Sequence, residues 1–518
     1  MAAGARHATH VAAGILVTRV LGYVRERVFA HYFGNSVAAD AFRAALRIPN
    51  VIRNLLGEGT LSASFIPVYA ALEGRGDRTA ARAVAGGVLG LLLVATGLLA
   101  VLGIAAAPAI TTAVAAGFDA PTRRLTIVLV RILFPMTGLM VVSGWCLGIL
   151  TTHRRFFLPY AAPALWNIAG IVALIAAGTW LVTPSLPLEQ RLHRLALALA
   201  WGTVVGAVLQ VAVQVPSCWR LLGGGVSLRP TVEHDGTRDV LRAWAPVVLG
   251  AGVAQISGLI DTQLGSFAGP GGVASLGYAQ LVQTLPISLF GVSVAAVALP
   301  ALSEDAATGG AGEALRARLA AGFRRVAFFV VPSAFAFVTL GPVIVGLLFQ
   351  TGRFAAADTQ LVGAVLAAYG IGLLGSASAK LLASGFYALR DTRTPVRISI
   401  VSLVVSTGCA IALIRPLGPV GIALGASVGG IVNLLLQLSV LERRTGPVLS
   451  APERRHLVAA VVAASVAAAA GAGAATLAGE LAPVPRGLLA VATFGVAYLA
   501  AALALRHPEA VALWRYRR

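Results

Sequence analysis

The sequence predicts an all-α integral membrane protein with about 14 transmembrane helices. Hydrophobic residues make up 58% of the 518 positions and charged residues 12%. The mean hydropathy of +0.85 lies outside the range of soluble domains. Long uncharged segments recur along the chain, each long enough for the roughly 20 residues that a spanning helix needs. The clearest of these segments are 83–118, 156–188, 195–219, 326–352 and 457–479.

Charged or Pro/Gly-rich breaks divide the chain into the individual spans. The first apolar segment has no small-residue cleavage pattern, so we expect a retained helix rather than a signal peptide. Two spans are irregular: Pro49 and Pro67 interrupt the second, and Pro286 and Pro300 the eighth. The predicted spans are centred near residues 22, 56, 95, 138, 170, 205, 254, 287, 337, 373, 405, 429, 468 and 496.

The distribution of basic residues predicts the orientation. With the amino terminus inside, the predicted cytoplasmic loops and tails hold 25 basic residues and the opposite side seven. This asymmetry follows the positive-inside rule and places both termini in the cytoplasm. The net charge of +20 is explained by these loops facing anionic lipid, so we do not expect a nucleic-acid partner.

An internal repeat predicts two related lobes. Pro49 and Pro286 lie 237 residues apart, Pro67 and Pro300 lie 233 apart, and residues 148–159 resemble 385–395 at a similar offset. Six spans per unit give both units the same polarity, a transporter plan with the cargo site between the lobes. We therefore predict parallel six-helix lobes at 1–220 and 221–445 around a V-shaped central cavity. An extra helix pair follows at 446–518.

Charged residues crowd the first two spans. An arginine in mid-membrane costs about 2.5–3.5 kcal/mol on insertion scales, so such residues normally face a watery cavity. The basic excess predicts an anionic cargo, and the planar guanidinium suits a pyrophosphate, to which it can donate two parallel hydrogen bonds. The six basic and three acidic residues are Arg19, Arg25, Arg27, Arg43, Arg47, Arg53, Glu26, Asp40 and Glu58.

Helical spacing predicts how these side chains group. Arg19 and Glu26 share one face, whereas Arg25 is predicted to point elsewhere. Asp40, Arg43 and Arg47 form a single stripe on the second span. A structural alternative pairs Arg19 with Glu26 and Arg43 with Asp40 to hold helices together, while Arg27 and Arg53 extend to the membrane interface.

Ten short segments carry recognisable motifs: 18–26 (TRVLGYVRE), 33–34, 39–42 (ADAF), 47–53 (RIPNVIR), 57–59, 65–67, 290–292, 299–300, 385–387 and 394–395. These segments resemble the MurJ (MviN) family of lipid II flippases. The resemblance implies a fold of the multidrug/oligosaccharidyl-lipid/polysaccharide exporter superfamily, with two lobes forming a V and two further helices making a groove for a lipid tail. It implies lipid II, the undecaprenyl-pyrophosphate-linked peptidoglycan precursor, as cargo in the bacterial cytoplasmic membrane, moved outward by alternating access. Membrane lipids and cell-wall synthesis proteins would be its partners.

Carried over by position, the resemblance assigns pyrophosphate binding to Arg19, Arg25 and Arg53. Supporting cavity charges are Glu26, Asp40, Arg43, Arg47 and Glu58. The family's Asp-Arg pair in the eighth span is replaced by Gln280 and Leu281. Either Arg43 compensates for the missing arginine, or the chain carries another polyprenyl-linked glycan.

The remaining intramembrane charges are Asp261 and Lys380. Some family members bind sodium through a carboxylate in the seventh span, so Asp261 is a candidate ion or proton site, or a hydrogen-bond partner of a neighbouring hydroxyl. Ser406 and Ala410 stand at the expected partner positions and argue against sodium. Lys380 is either a cavity charge or a structural partner of Asp261.

Other function classes find little support. The sequence has no P-loop, dinucleotide fingerprint or HExxH helix, so we expect neither an enzyme nor a cofactor. The spacing of cysteines and histidines predicts no metal site. A drug or ion antiporter would favour acidic cavity residues. A non-transporting scaffold for cell-wall synthesis stays open, because Leu281 replaces a family arginine.

Overall fold

The computed structural model describes residues 2–183, 185–225, 228, 234–298, 302 and 313–515. Within that part of the chain the secondary structure is helical, without strands. Two residues used above, Pro300 and the side chain of Glu58, lie outside the described residues. The chain divides into two compact units, Met1–Gly271 with Thr351–Arg353, and Gly272–Gln350 with Phe354–Arg518.

The first unit contains eleven α-helices among its described residues. A π-helical turn, Ala177–Leu181, extends α9 at its carboxyl end. The helices are α1 (Ala2–Phe33), α2 (Val37–Leu56), α3 (Glu58–Gly74), α4 (Arg78–Ala105), α5 (Ala107–Ala115), α6 (Ala120–Leu133), α7 (Met136–Thr152), α8 (Phe157–Ala161), α9 (Pro163–Ala176), α10 (Leu188–Leu221) and α11 (Asp235–Phe267).

The second unit follows the same all-helical plan. Its first helix ends at Pro286 and continues through a π-helical segment, Ile287–Val292, to Ala298. The helices are α12 (Gly272–Pro286), α13 (Glu313–Phe349), α14 (Ala356–Ile371), α15 (Leu373–Ala388), α16 (Arg393–Leu417), α17 (Pro419–Thr445), α18 (Ala451–Leu477), α19 (Pro483–Ala504) and α20 (Pro508–Arg515).

Many of these helices can cross a membrane. Among the described residues, eleven continuous helical segments are long and apolar enough, and α14 with α15, bent by 42°, would make a twelfth. The helices Ala2–Phe33 and Asp235–Phe267 lie where the first and seventh spans are predicted. The all-helical membrane fold is therefore confirmed, whereas the exact number of 14 spans stays a prediction.

The break in the second predicted span lies at a glycine. Pro49 and Pro67 lie inside α2 and α3, and the two helices separate at Gly57, whose φ of −99° and ψ of −136° leave the helical region. The Gly57 N–H still donates to the Arg53 carbonyl at 2.7 Å. This break fixes the end of α2, the helix that carries Asp40, Arg43, Arg47 and Arg53 of the predicted site.

Buried aromatic residues hold α3, α4 and α7 together in the first unit. Phe65 and Tyr69 of α3 are fully buried and stack on each other. Trp145 of α7 donates its indole N–H to the Ala85 carbonyl of α4 at 3.0 Å. The Tyr69 hydroxyl lies 3.1 Å from His153 Nε2. Because lipid is as apolar as these side chains, close packing and buried hydrogen bonds stabilise the helix contacts.

Small residues let the helices of the second unit approach closely. A Cβ added at Gly425 of α17 would lie 2.7 Å from the Ser406 carbonyl oxygen of α16, and one at Gly429 2.9 Å from the Ser402 carbonyl oxygen. Such backbone contact is the usual way in which membrane helices associate. Ser406, predicted above to lie in the ion-site region, therefore packs against α17.

A turn at the same repeat offset supports the internal repeat. Arg154 after α7 and Arg390 after α15 lie 236 residues apart, and both have a left-handed φ of 58°. The Arg154 N–H donates to the Thr151 carbonyl at 3.0 Å, and the Arg390 N–H to the Tyr387 carbonyl at 2.9 Å. Both helices thus end in the same way at the offset of the sequence repeat.

The compact units and the predicted lobes have different boundaries. Contacts group α11 with the preceding helices, because it packs against α2, α3, α4 and α5. The predicted lobe boundaries at 220 and 445 follow the repeat rather than compactness. They stay predictions.

Candidate functional site

Three charged residues of α1 and α2 form one cluster in the first unit. The Glu26 carboxylate is 9% exposed and accepts from two guanidinium groups. Arg25 Nη2 lies 2.8 Å from Glu26 Oε1, and Arg43 Nη2 lies 2.8 Å from Glu26 Oε2. Two cations thus share one anion, so the triad Arg25–Glu26–Arg43 carries a net charge of about +1.

Aromatic rings flank both arginines of this triad. The Arg25 guanidinium lies 4.3 Å from the centre of the Trp166 ring of α9. That of Arg43 lies 5.0 Å from the Phe29 ring of α1. A cation on an aromatic face is stabilised by about 0.5–2 kcal/mol, and the stabilisation is larger where less water reaches the cation. The rings hold the two guanidinium groups in place while leaving 21% and 18% of their side chains exposed.

A small cavity opens beside the triad, between α1, α2, α9 and α10. Its volume is about 30 Å³, enough for a single water molecule. Thr203 and Leu199 of α10 complete its wall. A lipid headgroup cannot enter this space, so any contact between the triad and a large anion would occur at the exposed fraction of the arginines.

The orientation predicted for Arg25 is wrong. Helical periodicity turns adjacent residues about 100° apart, which predicted that Arg25 points away from Glu26. The arginine side chain is long enough to bend back, and the Trp166 face supports it there. The Glu26 oxygens, which one alternative paired with Arg19, accept from Arg25 and Arg43.

Asp40 stabilises a turn at the end of the first unit. Its carboxylate is 1% exposed, and its Oδ2 accepts the Gly271 N–H at 2.6 Å. Gly271 has a φ of +79°, and a Cβ there would collide with Asn35, so only glycine fits. This hydrogen bond joins the turn before Gly272 to the start of α2.

The other arginines of α2 are separated along the helix. The Arg47 guanidinium occupies the place that a Cβ would take at Gly258 of α11. Arg53 lies in the last turn of α2, ten residues beyond Arg43 and therefore about 15 Å further along the axis. Both side chains are half-buried. The predicted stripe thus contacts α1 at Arg43 and α11 at Arg47.

The remaining predicted residues are not members of the triad. Arg19 is exposed on α1, Asp261 is half-buried on α11 in the first unit, and Lys380 is exposed on α15 in the second. Gln280, at one position of the replaced Asp-Arg pair, donates to the Tyr369 hydroxyl at 3.1 Å. The role of Asp261 as an ion or proton site stays a prediction.

Sequence reasoning missed Trp166 and Gly258. Trp166 stands in an apolar span without a motif, and only its aromatic type hinted at a cation partner. Gly258 is one of 58 glycines. Its contact with Arg47 could be predicted only if the packing of α11 beside α2 were already known.

Comparison with known proteins identifies the family. A model described as "Lipid II flippase MurJ" matches residues 29–484, most of the chain. The chain belongs to the MurJ family. Arg53 lies within the matched range, whereas Arg19 and Arg25 precede it. The resemblance stated from the sequence motifs is confirmed.

Curated MurJ relatives are similar over most of their length. The lipid II flippase MurJ of Burkholderia cenocepacia is 34% identical over 434 residues, covering 83% of this chain and 82% of that protein. A probable lipid II flippase MurJ of Rhizobium meliloti is 31% identical over 464 residues, covering 88% and 84%. The sequence similarity to MurJ proteins thus extends over most of the chain.

Solved structures show the same fold. An inward-closed lipid II flippase MurJ has a TM-score of 0.77 at 22% identity, covering 96% of this chain and 98% of that chain. An inward-facing multidrug resistance MATE family transporter of the MOP superfamily has a TM-score of 0.65 at 17% identity, covering 83% and 98%. At these identities the likeness concerns the MurJ/MATE-type fold alone.

Proposed function

We propose that this chain is a flippase that moves lipid II from the inner to the outer leaflet of the bacterial cytoplasmic membrane. It acts by alternating access and without catalysis. The cargo is inferred from the lipid II flippases among the relatives. The observation that carries the binding chemistry is the carboxylate that Arg25 and Arg43 share: two cations and one anion give the triad a net positive charge, which attracts a phosphate.

The proposed pyrophosphate contacts are Arg19, Arg25 and Arg53. Arg43, Arg47, Glu26, Asp40 and Glu58 support them. The headgroup enters an inward-open cavity between two lobes, while the polyprenyl tail stays in lipid along α18 and α19. Closure of the inner gate then exposes the headgroup on the other side.

The membrane potential favours this step. A cytoplasm-negative potential moves anions outward with about 2.3 kcal/mol per charge per 100 mV. A pyrophosphate with two to three charges would gain roughly 5–7 kcal/mol over that drop. Direct use of ATP is therefore unnecessary.

Ion pairs between residues of the proposed cytoplasmic side support the proposed topology of 14 spans with both termini in the cytoplasm. Arg444 lies 2.7 Å from Asp391, and Arg324 lies 2.7 Å from Glu453. Six-helix lobes at 1–220 and 221–445, with a helix pair at 446–518, complete the proposal.

A flippase for another polyprenyl-linked glycan is the second candidate. Leu281 stands where the family has an arginine, and its neighbour Gln280 bonds to Tyr369 rather than carrying charge. The arginines would contact the pyrophosphate, which all such carriers share, so they do not distinguish one glycan from another.

Rescue of a flippase-depleted bacterium tests the proposal. The chain should restore growth and cell shape when expressed at normal levels in the membrane. Failure to rescue despite normal expression would reject lipid II transport. It would favour a scaffold role or the other glycan cargo.

A further inference from the structure

A polar cavity lies in the second unit, and none of the triad residues lines it. Its volume is about 320 Å³, within the range of small-ligand sites. It is formed by the end of α13, the start of α14 and the turn between α18 and α19. Its main polar lining comes from Arg486, Gln350, Thr359 and Gln360, beside apolar Pro342 and Leu481.

The one cation of this cavity is held in a fixed direction. Arg486 Nε donates to the Ala475 carbonyl of α18 at 3.0 Å. This bond uses the inner nitrogen of the guanidinium, so the two terminal nitrogens remain to donate to a ligand. No carboxylate is among the residues that line the cavity. The cavity therefore carries a net positive charge.

The amide groups add hydrogen-bond donors. Thr359 is 5% exposed, and its hydroxyl lies 3.1 Å from the Ala355 carbonyl oxygen and 3.3 Å from Gln350 Oε1, two acceptors that share its one proton. With its oxygen engaged, Gln350 has its amide N–H groups left for the cavity. A site with one guanidinium and amide donors is complementary to an acceptor-rich anion such as a phosphate diester.

The position of the cavity indicates where that anion resides. It lies at the end of α13 and the start of α19, two helices that are long and apolar enough to cross a membrane. The ends of a spanning helix lie near the lipid headgroups. The cluster of Arg324, Glu453 and His507 lies near the opposite ends of α13, α18 and α19. With both chain ends cytoplasmic, as proposed above, the cavity faces the outer leaflet. Its apolar lining suits the glycerol backbone of a lipid.

We propose that this cavity binds the phosphate headgroup of an anionic glycerophospholipid, such as phosphatidylglycerol, from the outer leaflet. The bound lipid joins the ends of α13, α14 and α19 through Arg486 and the two glutamines. The site is distinct from the cargo arginines. Only its leaflet assignment rests on the proposed function.

Binding of fluorescent phosphatidylglycerol to the purified full-length chain in detergent tests the proposal. Arg486→Gln should weaken binding at least about tenfold, and Arg486→Lys, which keeps the charge, should weaken it less. The matched control is Arg415→Gln, which removes an exposed arginine at the end of α16. It should bind as the wild type does. Equal affinity of Arg486→Gln and the wild type would overturn the proposal.

A second variant tests the cavity without touching its charge. A Cβ at Gly346 would lie 3.2 Å from Gln350 Oε1 and 3.8 Å from Pro483 Cβ, so Gly346→Leu fills the floor. It should abolish binding while Arg486 is intact. Unchanged binding in this variant would place the lipid elsewhere.

Competition identifies the ligand. Unlabelled phosphatidylglycerol should displace the probe, whereas phosphatidylcholine and sn-glycerol 3-phosphate should do so at least about tenfold less well. Undecaprenyl pyrophosphate should also compete poorly. If it competes best, the cavity is a cargo-release site and the proposal is wrong. These results are independent of transport, so a failed rescue experiment and a failed lipid site are distinguishable.

Discussion

Arg43 of α2 donates to Glu26 of α1 at 2.8 Å, and the same carboxylate holds Arg25. This contact joins the first two helices through charge rather than through apolar packing alone. Because a single carboxylate cannot neutralise two guanidinium groups, the contact also leaves a positive charge in place. The contact between α1 and α2 and the proposed cargo binding thus both depend on Glu26.

Glu26→Gln should destabilise the first unit. Removing one partner of a buried ion pair costs about 3–5 kcal/mol, and the retained amide oxygen places this variant at the low end. The apparent melting temperature in detergent should fall by several degrees. Glu480→Gln, which changes an exposed glutamate between α18 and α19, is the control and should melt as the wild type does. Identical melting of both variants would contradict the role assigned to Glu26.

Arg25→Glu should abolish rescue of a flippase-depleted bacterium without loss of membrane insertion. The reversal removes a phosphate donor and places a second carboxylate beside Glu26. Arg155→Glu, at an exposed position after α7, controls for the charge change and should rescue. Full rescue by Arg25→Glu would reject Arg25 as a cargo contact.

Gly258→Ala should displace Arg47 from α11. The added methyl group would occupy the position of the Arg47 guanidinium, so either the side chain or the helix must move. We expect a lower melting temperature and weaker rescue. Gly252→Ala on the same helix meets no atom within 4 Å and should behave like the wild type. If the two variants behave alike, Arg47 does not pack against Gly258.

Docking of the terminal helix α20 should weaken in acid. His507 is 1% exposed and stacks on Phe328 of α13, with ring centres 4.8 Å apart. Burial is the main cause that lowers the pKa of His507 to about 4; the charges of His456 and Arg324 also lower it, and Glu509 partly offsets them. The ordinary pKa is 6.5.

The undocked state therefore binds a proton more readily, so stability falls as pH drops from 6.5 toward 4. Above 6.5 it should not change through this group. The full loss corresponds to about 3 kcal/mol. Hydrogen exchange of residues 508–515 should speed up across that range. His507→Phe should remove this dependence, whereas His193→Gln, at an exposed position, should keep it. An unchanged pH profile in His507→Phe would reject the assignment.

The membrane class and the family were predictable because they rest on composition and contiguous motifs. Long apolar segments specify spanning helices, and segments such as 47–53 carry their signal locally. The repeat was also visible in sequence, and the matching turns at Arg154 and Arg390 agree with its offset. Local sequence was sufficient for these features.

The arrangement of the site was less predictable because it depends on neighbours distant in sequence. Periodicity assigned Arg25 to another face than Glu26, but it cannot account for a flexible side chain drawn back by Trp166, 141 residues away. Helical spacing grouped Asp40 with Arg43 and Arg47, yet its carboxylate also accepts the Gly271 N–H and stabilises the turn there. Tertiary contacts, rather than helical register, select these partners.

Movement of lipid-linked pyrophosphate across proteoliposome membranes tests the central claim most directly. The full-length chain, with a negative potential on the side of its termini, should move undecaprenyl-pyrophosphate-linked precursor to the opposite leaflet. Arg25→Glu should reduce this rate to that of empty vesicles, and the matched Arg155→Glu should not. Equal rates for the wild type and Arg25→Glu would contradict the claim that intramembrane arginines bind the pyrophosphate.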